Sequence, residues 1–295
     1  MRSKTLTIVL LFILLVSAAC TSQVNSGVPT PGSISASGTQ GPTITPGPSP
    51  TAIVPVNLTV LAAASLTESF TELGKLFEAQ NPGVKVTFNF AGSQQLAQQL
   101  DQGANADVFA SASTKYMDAA VKSKRVNQID PKIFVKNSLV VIFPKDNPAG
   151  LKTLTDLAKP GLKLDLADKS VPVGQYSLDF LDKAVKDPAF DPQFKVNVLK
   201  NVVSYEDNVK SVVTKVSLGE ADAGIVYVTD ITADAAKKIS QLDIPDSMNT
   251  VATYPIAAIT GSKNEALARA FVALVLFPEG QAIMAKYGFI PAVGK

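Results

Sequence analysis

From residue 57 onward, the apolar and polar positions follow two rhythms in turn. "NLTVLAAA" (57–64) is a nearly continuous apolar run with the length of a buried strand. At Ser65 the spacing changes, and Leu66, Phe70, Leu73 and Phe77 recur in helical steps until "NPG" at 81–83 stops them. "VKVTFNF" (84–90) alternates as a half-buried strand does. "SQQLAQQLDQ" then reads as a helix that starts at Ser93 and ends before Gly103. "ADVFASA" (106–112) is another short apolar strand and "TKYMDAAVKSKRV" (114–126) another helix. Strand and helix in regular alternation predict an α/β fold, with a mostly parallel sheet covered by helices on both faces.

The cycle restarts at "NSLVVIFP" (137–144), followed by a short helix "LKTLTDLA", a strand "LKLDLAD" and a helix from about Gly174. The pattern then predicts a strand over "VNVLKNV" (196–202), a helix from Asn208 to Leu218 and a buried strand "DAGIVYV". "YPIAAIT" (254–260) and the helix "EALARAFVALVLF" complete the chain. Two α/β units of similar size follow from this rhythm. No repeat at a solenoid period is present.

The segment before residue 56 has a different character. "MRSK" is a positive start, "TLTIVLLFILLV" an apolar stretch and "SAAC" a small-residue cleavage site ending at Cys20, so residues 1–20 read as a lipoprotein signal peptide. Cys20 is the one cysteine of the chain and sits where a lipid thioether would form; Ser17 stands where such signals usually carry Leu. Residues 21–55 are dominated by Pro, Gly, Ser and Thr, and no charge occurs between Lys4 and Glu68. Such a stretch buries too little to offset its ordering entropy and reads as a disordered tether. The expected organisation is a domain held outside the membrane by a lipid anchor.

Charge narrows the function classes. Setting aside Arg2 and Lys4 leaves 25 basic against 25 acidic residues, so the clustered basic excess of a nucleic-acid binder is missing. Histidine is absent, which removes the usual general base near neutral pH and the commonest metal ligand. Without histidine there is no Ser-His-Asp arrangement. Without a free cysteine in the mature chain there is no thiol nucleophile and no internal disulfide. Neither a phosphate-binding P-loop nor a G-x-G-x-x-G after a strand occurs. Asp107 and the adjacent Glu206 and Asp207 leave carboxylate chemistry open, although such acids more often cap helices or face water.

What the chain does offer is a series of helix starts placed just after strands: Ser65 after "LAAA", Ser93 after "FNFAG", Val173 and Gly174 after "DKSVP", Val209 after "SYEDN". The first amides of a helix have no acceptor inside it and carry about +0.5 of an elementary charge. Helix starts at the carboxyl ends of strands converge where open α/β sheets bind ligands, and several of them would make a neutral, donor-rich anion pocket. Taken singly, each position has a blander reading. Ser65 and Glu68 have the S-x-x-E spacing of a capping box, Ser93 suits a cap, and Tyr227 in "GIVYVTD" suits a core aromatic.

The motifs "AAASL", "FAGSQQL", "GANADVFASA", "NSLVV", "VPVGQY", "GIVY" and "YGFIPA", in this order across residues 57–291, resemble the molybdate-binding proteins of ABC importers. The resemblance implies a two-lobed periplasmic-binding-protein fold, type II-like, with the ligand cleft between the lobes. Lobe 1 would hold 56–137 and 252–295, and lobe 2 would hold 138–251. It also implies oxyanion-binding positions at Ser65, Ser93, Val173, Val209 and Tyr227, the first two through hydroxyl and amide, the valines through their amides, Tyr227 through its phenol. Val173 replaces a common Ala, and residues 182–201 fit the pattern least.

The implied ligand suits the residues. Molybdate is fully deprotonated at neutral pH and offers only acceptors, whereas phosphate keeps a proton and favours a site with an acceptor such as Asp. The expected function is therefore a lipid-anchored, extracytoplasmic and monomeric receptor. It would bind molybdate, and tungstate as a near-isostere, for an ABC permease, with molybdenum present only as the oxyanion and no cofactor. A sulfate or tungstate-specific receptor is the alternative. A ferric binder, an enzyme on the same fold and a sensory lipoprotein are the remaining rivals.

Overall fold

The computed structural model describes residues 55–292. The signal peptide, Cys20 and nearly all of the tether lie outside the described residues. The chain opens with strand β1 (Val56–Ala63), a 3-10 turn (Ala64–Leu66) and helix α1 (Thr67–Gln80), followed by β2 (Val84–Ala91), α2 (Ser93–Asp101), β3 (Val108–Ala110) and α3 (Thr114–Lys122). Two strands in succession, β4 (Lys132–Asn137) and β5 (Leu139–Pro144), lead to β6 (Leu164–Ala167) and α4 (Pro172–Ala184). Then come α5 (Phe194–Lys200), β7 (Val202–Glu206), α6 (Val209–Ser217), β8 (Ala223–Tyr227), β9 (Ile239–Asp243) and β10 (Ala252–Ala258). Helices α7 (Glu265–Leu276) and α8 (Pro278–Lys286) and the short β11 (Ile290–Pro291) end the described chain.

The strands form two mixed sheets, of order β11-β4-β10-β3-β1-β2 and β7-β6-β8-β5-β9. β1 runs parallel to β2 and β3, and β6 parallel to β7 and β8, as strand–helix–strand crossovers require. The antiparallel pairs are mostly next to the passages between sheets, β10 against β3 and β4 and β5 against β8 and β9, with the short β11 also antiparallel to β4. The chain leaves the first sheet at Asn137, enters the second at Leu139, and returns between Asp243 and Ala252. Asn249 fastens these passages together. Its amide donates to the Leu139 carbonyl and its carbonyl accepts from the Leu139 amide, both at 2.9 Å. Pro255 lies in the interior strand β10 where the register against β4 shifts, the sort of position at which a residue without an N–H is tolerated.

In the first lobe, Phe70 and Phe77 of α1 pack on Phe271 of α7, with ring centroids 6.0 and 5.3 Å apart. Leu61 and Phe109 turn to the opposite face, against Leu96 and Leu100 of α2 and Met117 of α3. The first sheet is thus covered on both sides, which fixes the helix starts at one end of the strands.

Four features differ from the periodicity reading, the first being that both sheets are mixed where the pattern predicts a mostly parallel one. "VNVLKNV" is mostly helix α5, because Phe194 and Val198 recur at helical spacing and are buried while Val196 is exposed. The strand follows it as β7, an edge strand whose Val203 and Tyr205 face outward. Strands β4 and β9 and helix α8 were not predicted by the pattern. β4 and β9 each mix buried with exposed positions, and α8 buries only Gly280 and Met284.

Candidate ligand-binding site

Ser65 does not cap the helix it precedes. The N-cap of α1 is Leu66, without a side-chain cap, and Ser65 sits inside the 3-10 turn. Its buried hydroxyl lies 2.9 Å from Tyr254 Oη in β10, and Tyr254 Oη is also reached by Asn137 Nδ2 at 3.4 Å. The Asn137 amide in turn donates to Thr229 Oγ1 at 2.7 Å. Glu68, the supposed second half of a capping box, is paired with Lys210 at 2.9 Å instead. A tertiary partner has displaced the local one in both cases.

Ser93 is the first residue of α2 and Gly92 is its cap; Gln95 Oε1 accepts from the Gly92 amide at 3.3 Å, and no side chain takes the Ser93 amide. Ser93 Oγ accepts from the Ala112 amide at 3.0 Å, which leaves the hydroxyl proton free to donate elsewhere. A Cβ at Gly92 would collide with the Asp207 carbonyl of the other lobe, so only glycine allows this approach. In the second lobe, Val171 caps α4 and Pro172 is its first residue. Pro172 has no N–H, which makes the Val173 amide the first donor of that helix. Asn208 caps α6 and uses its side chain on the Ser211 amide at 3.1 Å, so the cap does not occupy the Val209 amide.

These positions meet in one place. Ser65, Ser93, Val173, Val209 and Tyr227 line a single small cavity of about 10 Å³, closed in by Ala63, Ala64, Ala91, Gly92, Ala112, Val171, Pro172 and Asn208. No lining residue is charged. The Tyr227 hydroxyl is buried and has no hydrogen-bond partner among the described residues, and burial holds its pKa well above the ordinary phenol value. It is a donor that stays protonated and is not used by the fold. An unmade hydrogen bond of this kind costs about 1–3 kcal/mol. The cavity therefore presents hydroxyls and helix-start amides from both lobes, with no carboxylate to repel an anion. Its volume is a small fraction of the roughly 300–1,000 Å³ of pockets for larger organic ligands.

The acidic residues that left carboxylate chemistry open have other partners. Asp107 accepts from the Thr59 amide at 2.7 Å and from Ser262 Oγ at 2.5 Å, at the opposite ends of the first-sheet strands. Glu206 is paired with Lys215 at 2.5 Å, and Asp207 accepts from Gln95 Nε2 at 3.0 Å. Helix starts and the family resemblance pointed to the five lining positions, Tyr227 through the resemblance alone. Tyr254 and Asn137, which hold Ser65, and Lys210, which pairs with Glu68, carried no local signal, since each reaches its partner from a distant part of the chain.

Residues 58–290 match the model of the bacterial extracellular solute-binding protein family. The molybdate-binding protein ModA of Mycobacterium tuberculosis is 39% identical over 233 residues, 79% of this chain and 84% of that protein. ModA of Escherichia coli is 32% identical over 238 residues, 79% of this chain and 88% of that protein. The periplasmic molybdate-binding protein of Azotobacter vinelandii has the same fold, with a TM-score of 0.68 at 20% identity over 81% of this chain and all of that one. The chain belongs to the bacterial extracellular solute-binding proteins, among the molybdate-binding proteins of ABC importers.

Proposed function

We propose that this solute-binding protein captures molybdate, and tungstate with it, by closing its two lobes on the anion and delivering it to an ABC permease. The observation that carries the reading is the buried, unpartnered Tyr227 hydroxyl in an uncharged cavity shared with Ser65 and Ser93. A tetrahedral dianion with acceptors on every side supplies what those donors lack. Ser65, Ser93 and Tyr227 would donate through hydroxyls, and the amides of Ser65, Ser93, Val173 and Val209 through helix starts whose dipoles favour negative charge. Because donors come from both lobes, the anion binds the closed form better than the open one, and that difference drives closure.

Discrimination follows from two properties of the cavity. Protonated phosphate favours a carboxylate acceptor such as Asp, which the lining does not provide. Sulfate carries the same charge and shape as molybdate but is smaller, so the fit of the donors separates them. At the chain's start, Cys20 would carry the lipid and residues 21–55 the tether to the membrane; the role is capture and delivery, without catalysis or cofactor.

The test is a thermal-shift and calorimetry series with molybdate, tungstate, sulfate and phosphate. Stabilisation by the first two alone supports the reading. Stabilisation by sulfate alone makes the protein a sulfate receptor, and none with any oxyanion overturns the site.

A further inference from the structure

Among the described residues, one ion pair joins the two lobes. Lys210 Nζ lies 2.9 and 3.0 Å from the two carboxylate oxygens of Glu68 in the first turn of α1, and 3.3 Å from Asp230 Oδ1 in its own lobe. Asp230 is fully buried, and its other oxygen accepts from the Tyr227 amide at 3.1 Å. Each member sits beside a cavity residue: Glu68 three positions after Ser65, Lys210 next to Val209, Asp230 three positions after Tyr227. Lys210 occupies the first turn of α6, where the helix dipole disfavours a cation. Burial also works against its charge, but Asp230 and Glu68 outweigh both and hold its pKa above the ordinary value. Asp230 belongs to the same lobe and holds Lys210 whatever the lobes do. Glu68 belongs to the other lobe and can reach Lys210 only when the lobes are together.

We propose that Glu68 is a positioning residue for the binding site, acting as a latch: its pairing with Lys210 forms on closure and slows release of the bound anion. The remaining interlobe side-chain hydrogen bonds also have neutral donors: Gln94 and Gln95 to Asp207, Tyr116 to the Ser170 carbonyl, Tyr176 to the Ala112 carbonyl and, where the chain passes between the sheets, Asn137 to Thr229. Glu68 therefore supplies the one pairing of opposite full charges across the cleft. It touches none of the cavity, and it sets affinity through the closed-state population.

This inference rests on the cavity being the molybdate site, and it predicts a sign that the plain field does not. Glu68 is an anion near an anion site, so by Coulomb repulsion alone Glu68→Gln should tighten binding and Glu68→Lys should tighten it more. The latch predicts the reverse. In calorimetry and stopped-flow release with sodium molybdate, Glu68→Gln should bind about three- to tenfold more weakly, through a faster off-rate with the on-rate nearly unchanged. Glu68→Lys, facing Lys210 with a like charge, should be weaker still. Unchanged or tighter binding by both variants overturns the latch. Should the wild-type protein give no heat with molybdate or tungstate, the site reading has failed, and small-angle scattering of the ligand-free protein then decides the latch. A larger radius of gyration for Glu68→Lys than for wild type supports it, and identical radii overturn it.

Discussion

Tyr254 Oη stands 2.9 Å from Ser65 Oγ, joining residues 189 positions apart in the sequence. Asn137 Nδ2 approaches Tyr254 Oη from the other side at 3.4 Å. Either hydroxyl can donate in this pair; if Tyr254 gives its proton to Ser65 Oγ while accepting from Asn137, the Ser65 proton is left for the cavity. Burial holds the Tyr254 phenol above its usual pKa, so it remains a donor at any physiological pH. Tyr254→Phe should weaken molybdate binding about three- to tenfold, as expected for one neutral hydrogen bond. Tyr227→Phe, which deletes a donor to the anion itself, should cost about ten- to a hundredfold. Calorimetry on the two variants checks the order, and a larger loss in Tyr254→Phe would contradict this arrangement.

Ser65→Ala and Ser93→Ala should each weaken molybdate binding about ten- to a hundredfold while the lobes stay folded. They differ in side effects. Ser93→Ala also takes the acceptor from the buried Ala112 amide, costing about 1–3 kcal/mol of stability, which urea unfolding of the ligand-free protein would register. Wild-type affinity in both variants would rule out the site assignment.

Gly92 and Gly174 give contrasting predictions. The backbone at Gly92 (φ −60°, ψ 138°) suits any residue; a side chain would meet the Gln94 amide, a flexible group that can turn away, and the Asp207 carbonyl across the cleft, which cannot. Gly92→Ala should therefore hinder closure alone, with molybdate binding at least about tenfold weaker and ligand-free melting unchanged. A Cβ at Gly174 would collide with the Ala167 and Asp168 carbonyls of its own lobe. Gly174→Ala should lower stability by about 1–3 kcal/mol before any ligand is added.

Asp165 makes stability depend on pH. It is fully buried in β6 with neither carboxylate oxygen hydrogen-bonded among the described residues. Burial first, and the Glu206 charge second, push its pKa up to about 7. The folded chain then keeps a proton that the unfolded chain releases above its ordinary pKa, so this group costs stability as pH rises from about 4 to about 7 and no further beyond that. Asp165→Asn removes the titration. Its stability gain over wild type in urea unfolding should grow between pH 5 and pH 8, toward a limit on the order of 4 kcal/mol. A gain independent of pH would show that Asp165 is ionised throughout.

The α/β class, most elements of both sheets and the helix starts at Ser65, Ser93, Val173 and Val209 were legible from the sequence, because strand and helix periods are local signals; Tyr227 came from the family resemblance alone. The errors arose where tertiary context decided. "VNVLKNV" has the β-branched content of a strand, yet Phe194 and Val198 find the core only as a helix. The Ser65–Glu68 spacing suits a local cap, yet Tyr254 and Lys210 take both side chains. Tyr254, Asn137 and Asn249, which align the passages between the sheets, act at separations of 92 to 189 residues, where no spacing rule applies.

The amides of Val173 and Val209 at the cavity belong to the main chain, and that determines what mutagenesis can detect. Exchanging either valine for another apolar residue keeps the N–H, so an alanine scan would pass over two contributors of the proposed site. Related receptors could vary freely in side-chain identity at these two positions and hold the same ion. Only a change to the peptide linkage itself, such as an amide-to-ester replacement, would silence those donors one at a time.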